Sequence, residues 1–137
     1  MFVKARWIRS LCVLAAVVAA VSLNEAKAEY KMTGSLLRND NKVTVKAKVT
    51  WDASDDEIHW VVIRITDYNY TPAKVTYEAI DSSDWTYDGL TRTITVYTDN
   101  YTSYLSIGKY DIAILYYLAE GDSTPVATIQ IGTVTID

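Results

Sequence analysis

Past residue 28 the chain predicts an all-β fold: a single antiparallel Greek-key β-sandwich of about seven strands, preceded by a signal peptide. Apolar and polar residues alternate with a period of two, and the alternating runs are short. They are separated by Asp, Asn, Ser and Gly clusters that favour turns, and no segment carries a helical period. The 109 residues from 29 to 137 are enough for one domain with one core, and too few for two.

The first 28 residues differ in kind. Lys4, Arg6 and Arg9 precede a mostly apolar run over residues 11–23, which is followed by the small-residue signature Ala26-Lys27-Ala28. This is the pattern of a signal peptide cleaved before Glu29, so the expected location is secreted, extracellular or periplasmic. As a helix the apolar run would reach about 20 Å, short of the roughly 30 Å hydrocarbon core, which argues against membrane insertion. Cys12 sits at the start of that run rather than after it, behind Arg9-Ser10-Leu11, without the small residues of a lipidation site. Its loss with the leader leaves a domain free of cysteine, held by packing and hydrogen bonds alone.

Processing also changes the charge. The full chain has 13 basic and 17 acidic residues; without the leader 9 and 16 remain, a net charge of −7. An acidic surface repels phosphate backbones and anionic lipid, which speaks against nucleic-acid and peripheral membrane partners. Two sequons, Asn69-Tyr70-Thr71 and Asn100-Tyr101-Thr102, would accept glycans in a eukaryotic host.

Each strand follows from local pattern. Residues 30–37 form the first, ended by Arg38-Asn39-Asp40-Asn41. In residues 42–51 the inward set is Val43, Val45, Ala47, Val49 and Trp51, with Lys and Thr between. Residues 58–66 are apolar on both faces, as in a central strand. Residues 73–80 alternate through Val75, Tyr77 and Ala79 and break at Asp81-Ser82-Ser83-Asp84. Residues 91–98 turn Ile94 and Val96 inward, and residues 110–118 do the same with Ile112, Ile114 and Tyr116. In the last strand, from about residue 125 to 136, the apolar phase moves from Ile129 and Ile131 to Val134 and Ile136. Gly132 lies at the change, where a β-bulge absorbs one residue.

Leu105-Ser106-Ile107-Gly108-Lys109-Tyr110, running straight into an alternating strand, resembles the tyrosine corner of immunoglobulin-like and fibronectin type III domains. The resemblance implies a structural role for Tyr110, its hydroxyl bonded to main chain upstream. Residues 43–65 likewise resemble the B-to-C segment of bacterial immunoglobulin-like modules, and residues 115–122 their F strand and following turn. By that likeness the positions of the antibody cysteines fall near Ala47 and Ile112, so the inter-sheet disulfide is missing. Trp60 lies either on the outer face with Val62 and Arg64 or, the reading preferred here, buried as the strand-C tryptophan, since an exposed indole in a central strand leaves much apolar surface wet.

The chemistry of catalysis is thin. His59 is the only histidine, set in a run without a nucleophile elbow, and a zinc site needs more His or Cys ligands than the mature chain has. Acidic turns occur at Asp52, Asp55, Asp56 and Glu57 and at Asp81, Asp84 and Asp88. No cofactor is expected; calcium held through Asp52, Asp55 and Asp56 is the one metal this pattern admits. A small sandwich offers little room for the paired-carboxylate cleft of a glycosidase.

Tyrosine is the unusual component, with 11 residues. Tyr68, Tyr70, Trp85, Tyr87, Tyr101 and Tyr104 fall among Asp, Asn, Ser, Thr and Gly, the composition of binding loops, where tyrosine supplies rigid amphipathic contact area. The expected function is a non-catalytic interaction module that recognises a protein or cell-envelope partner through tyrosine-rich loops or a sheet edge. One alternative is a carbohydrate-binding module that stacks Trp85 or loop tyrosines on sugar rings; another is a structural or inhibitory envelope protein.

Overall fold

The computed structural model describes residues 30–52 and 57–137. The leader with its cleavage point, Cys12, Asp55 and Asp56 lie outside the described residues. Eight strands follow in order: β1 (Lys31–Asn39), β2 (Lys42–Thr50), β3 (Trp60–Asp67), β4 (Lys74–Ala79), β5 (Trp85–Asp88), β6 (Thr93–Thr98), β7 (Gly108–Tyr117) and β8 (Ala127–Ile136). A three-residue 3₁₀ turn (Ser82–Asp84) precedes β5. All pairings are antiparallel, in two four-stranded sheets ordered β1-β2-β6-β5 and β4-β3-β7-β8. The chain changes sheet between β2 and β3, β4 and β5, and β6 and β7.

The core is the set of side chains that the period of two turns inward. β2 contributes Val43, Val45, Ala47 and Val49, continued by Trp51, and β6 adds Ile94 and Val96. They face Val61 and Ile63 of β3 and Tyr110, Ile112, Ile114 and Tyr116 of β7. Ala47 and Ile112, near the positions where a disulfide would tie the sheets in an antibody domain, are both buried on opposing sheets and leave the join to apolar contact. In β8 the register passes from Ile112↔Gly132 to Ala113↔Gln130, so Ile131 is the extra residue of a bulge. That bulge lets Ile129 and Ile131 on one side and Val134 and Ile136 on the other all reach the core.

One flank of the sandwich is closed by β1 against β8. Gly34 marks the contact: a Cβ there would stand 2.4 Å from Ile131 Cδ1 and 3.3 Å from Ile129 Cδ1. Arg38 also donates to the Asp137 carboxylate at 2.8 Å. The other flank ends in the edge strands β4 and β5.

Two expectations change, and one strand is placed where alternation alone could not put it. Among the described residues the strands number eight, because Trp85–Asp88, read as loop, pairs with β6; four residues between acidic turns are too few to display a period. Trp60 is on the outer face: Val61 and Ile63 hold the inner positions, and Trp60 is half-buried against Tyr117, with ring centroids 4.7 Å apart. The cost of wetting the indole is met by a second, small cluster with Val62, Ala113 and Leu115 rather than by the core. Finally, all six residues of β4 are exposed; by register, Val75, Tyr77 and Ala79 share the outer face with Thr66, Arg64 and Val62.

Candidate interaction surface

The corner before β7 organises one end of the β4-β3-β7-β8 sheet. Tyr110, buried, donates its hydroxyl to the Ser106 carbonyl at 2.9 Å, and the same oxygen accepts from Asn69 Nδ2 at 3.2 Å. Gly108 makes this approach achievable, since its φ is +148° and a Cβ would fall 2.1 Å from Asn69 Oδ1. The Tyr68 amide donates to the Lys109 carbonyl at 3.0 Å. The β3–β4 turn is thereby anchored to the start of β7.

Several aromatic side chains stand exposed in this turn and in β4. Tyr68 donates its hydroxyl to Asp111 Oδ2 at 2.6 Å, while Asp111 Oδ1 accepts from Thr133 Oγ1 at 2.6 Å. The bond to the Asp111 carboxylate raises the Tyr68 hydroxyl above its ordinary pKa, so the ring stays neutral. Lys109 Nζ lies 5.3 Å from the Tyr68 ring centroid and Lys74 Nζ 5.3 Å from that of Tyr70. Ammonium groups at that distance are attracted by the ring quadrupole. Up the same sheet stand Val75 and Tyr77, which the sequence reading did not single out as binding residues. Tyr68, Tyr70, Val75 and Tyr77 are 45%, 53%, 45% and 58% exposed, too much apolar surface for residues that serve the core. The only sequence signal for Tyr77 was its place in an alternating run, which cannot say which of the two faces is turned away from the opposite sheet.

The other expected residues lie elsewhere. Trp85 packs on the core and donates Nε1 to the Ile80 carbonyl at 3.3 Å. Tyr101 is half-buried and bonds the Asp81 amide at 2.8 Å, next to Asn100, whose Nδ2 donates to both Asp84 carboxylate oxygens at 3.1 and 2.9 Å. The side-chain amides of both sequons are thus engaged in hydrogen bonds within the domain. The 3₁₀ turn here is held by Ser83, whose bonds to the Asp81 carboxylate keep that group below the usual carboxylate range. Tyr104 is 79% exposed in the β6–β7 connection. Tyr87 stacks on Trp51, with centroids 5.8 Å apart and an interplanar angle of 10°, and donates to Glu57 Oε2 at 2.7 Å. The Glu57 carboxylate raises the Tyr87 hydroxyl's pKa and also lies 3.5 Å from His59 Nε2 and 3.8 Å from Arg92 Nη1.

Chemically, the surface can present phenol faces, hydroxyls and two ammonium groups at fixed positions, which suits recognition of a polypeptide. Asp52 is exposed, and among the described residues no group of three or more His, Cys, Asp or Glu side chains converges as a metal site would require. No family model matches the chain, and neither curated proteins nor solved structures yield a match.

Proposed function

We propose that the chain is an exported, non-catalytic interaction module of immunoglobulin-like Greek-key type that binds a protein partner through the exposed tyrosines of β4 and the β3–β4 turn. Two features support the fold reading. With β1 to β8 taken in order as strands A, B, C, C′, D, E, F and G, the two sheets become A-B-E-D and C′-C-F-G. The Tyr110-to-Ser106 bond is the contact a tyrosine corner requires. For the binding role, the observation that carries it is the exposure of Tyr68 and Tyr70 in the β3–β4 turn and of Val75 and Tyr77 in β4, with lysines over two of the rings.

The test compares proteins retained from the native envelope or culture fraction by the immobilised wild type and by a Tyr68→Ser/Tyr70→Ser/Tyr77→Ser variant of matched Tm. A protein held by the first and released by the second supports the reading, and identical retention by both removes it. Affinity electrophoresis in polysaccharide gels addresses the carbohydrate alternative. Retardation that Tyr70→Ser abolishes would put a glycan in place of the protein partner.

A further inference from the structure

The edge strand β4 combines unpaired main chain with a sequence that complements itself. The Ile80 amide donates to the Val61 carbonyl at 2.8 Å, within the register that pairs Val62 with Ala79. In an antiparallel ladder, hydrogen-bonded and non-hydrogen-bonded pairs alternate. Residues 80, 78, 76 and 74 therefore turn their N–H and C=O groups toward β3, and Val75, Tyr77 and Ala79 turn theirs outward. Among the described residues no strand lies beyond β4, and none of its side chains is buried.

A long exposed edge is ordinarily blunted by charge. Here the charges are opposite in sign and symmetrically placed: Lys74-Val75-Thr76-Tyr77-Glu78 has Lys and Glu equidistant from Thr76. Two copies run antiparallel about Thr76 would set Lys74 opposite Glu78, Val75 opposite Tyr77 and Thr76 opposite Thr76. The hydrogen-bond parity agrees. Val75 and Tyr77, whose main-chain groups point outward, fall opposite one another as hydrogen-bonded pairs, while Thr76 and the Lys–Glu pairs fall at the closer non-hydrogen-bonded positions. A shift of one residue would break the parity, and a shift of two would separate the charges. Opposite charges, an aromatic facing a β-branched residue, and threonine facing threonine are each favourable cross-strand pairs.

We propose that two copies of this chain associate through β4 in this register, about a two-fold axis at Thr76, to form one continuous eight-stranded sheet. The interface is isologous and closes on itself, so it makes a dimer and not a fibre. Val75 and Tyr77 of the two copies then lie side by side on the outer face. Self-pairing does not depend on the identity of any further partner.

The test is sedimentation equilibrium on the protein purified from cells expressing the full chain, with thermal melting as a check on folding. The wild type should show a concentration-dependent monomer–dimer equilibrium. Lys74→Glu alone and Glu78→Lys alone should each weaken it about tenfold or more by placing like charges opposite, and Lys74→Glu/Glu78→Lys together should restore it. Val75→Pro removes an outward amide without touching the β3 ladder and should abolish the dimer at unchanged fold. Under mild oxidation Thr76→Cys should cross-link rapidly, because the two-fold places it opposite itself at a Cα separation of about 4.5 Å, and Glu78→Cys should not. A protein that stays monomeric up to about 1 mM overturns the proposal, as does a dimer indifferent to the charge reversals. A monomer whose β4 pairs with a synthetic extended peptide would also overturn it, in favour of a foreign strand.

Discussion

The Tyr110 hydroxyl donates to the carbonyl oxygen of Ser106, four residues upstream, at 2.9 Å, and six positions along the same strand the hydroxyl of buried Tyr116 finds no hydrogen-bond partner among the described residues. The two phenols are both buried in β7 and should respond oppositely to loss of the oxygen. Tyr110→Phe orphans the Ser106 carbonyl and Asn69 Nδ2, and should destabilise the fold by about 1–3 kcal/mol. Chemical denaturation measures this; an unchanged midpoint would refute the corner's structural role.

Tyr116→Phe removes a polar atom whose burial is uncompensated, and should leave stability at neutral pH within about 1 kcal/mol of wild type or raise it. Its clearer mark is at alkaline pH. Burial pushes the Tyr116 hydroxyl well above its ordinary value of 10.0, so the folded protein keeps the proton after the unfolded chain has lost it. Stability is therefore fully present below about pH 10 and declines above it, by up to about 1.4 kcal/mol per pH unit. Melting curves between pH 9 and 11 should show this slope for the wild type and a shallower one for Tyr116→Phe.

Gly34 should tolerate no side chain unless its neighbour gives way. A Cβ there meets Ile131 Cδ1 at 2.4 Å, across the closed flank between β1 and β8. Gly34→Ala should cost about 1–3 kcal/mol by overpacking. Adding Ile131→Val, which deletes that methyl, should recover part of the loss. Equal destabilisation in the single and double variants would mean that the clash lies elsewhere.

Two tryptophans separate the two faces. Trp51 is 3% exposed in the core, and Trp51→Ala should cost about 3–5 kcal/mol. Trp60 contributes to a small outer cluster, and its replacement by Ala should cost only about 1–2 kcal/mol. Denaturant titration of both variants checks the order; a reversed order would place Trp60 in the core after all.

Much of the fold was legible in short-range pattern. In β2, β6 and β7 the inward residues named from alternation are all buried in the core, and the phase slip near Gly132 coincides with a bulge. These features are local, because an extended backbone sends successive side chains to opposite faces whatever lies around it. The Tyr110 contact was readable for the same reason: it joins residues four apart. Of the surface residues, the prominence of Tyr68 and Tyr70 beside the β3–β4 turn followed from composition alone.

What pattern could not supply was the neighbour across space. A period of two assigns Trp60 to one of two faces without saying which one faces the other sheet; that choice shows in the register, which sets Val61 and Ile63 beside the inward Tyr116 and Ile114 of β7 and Trp60 beside Tyr117. It gives β4 an alternation but not the information that Val75, Tyr77 and Ala79 take the outer face and that the opposing sheet leaves Lys74, Thr76 and Glu78 uncovered, which exposes the whole strand and leaves its edge free. It also groups Trp85 with Tyr68 by composition, whereas packing draws the indole onto the core and leaves the phenol outside. The sequence by itself determined strand, turn and inward face, since these depend on backbone geometry within a few residues. Sheet order, register and coverage belong to the tertiary structure, because contacts between distant segments compete for the same apolar surface and only the whole chain decides among them.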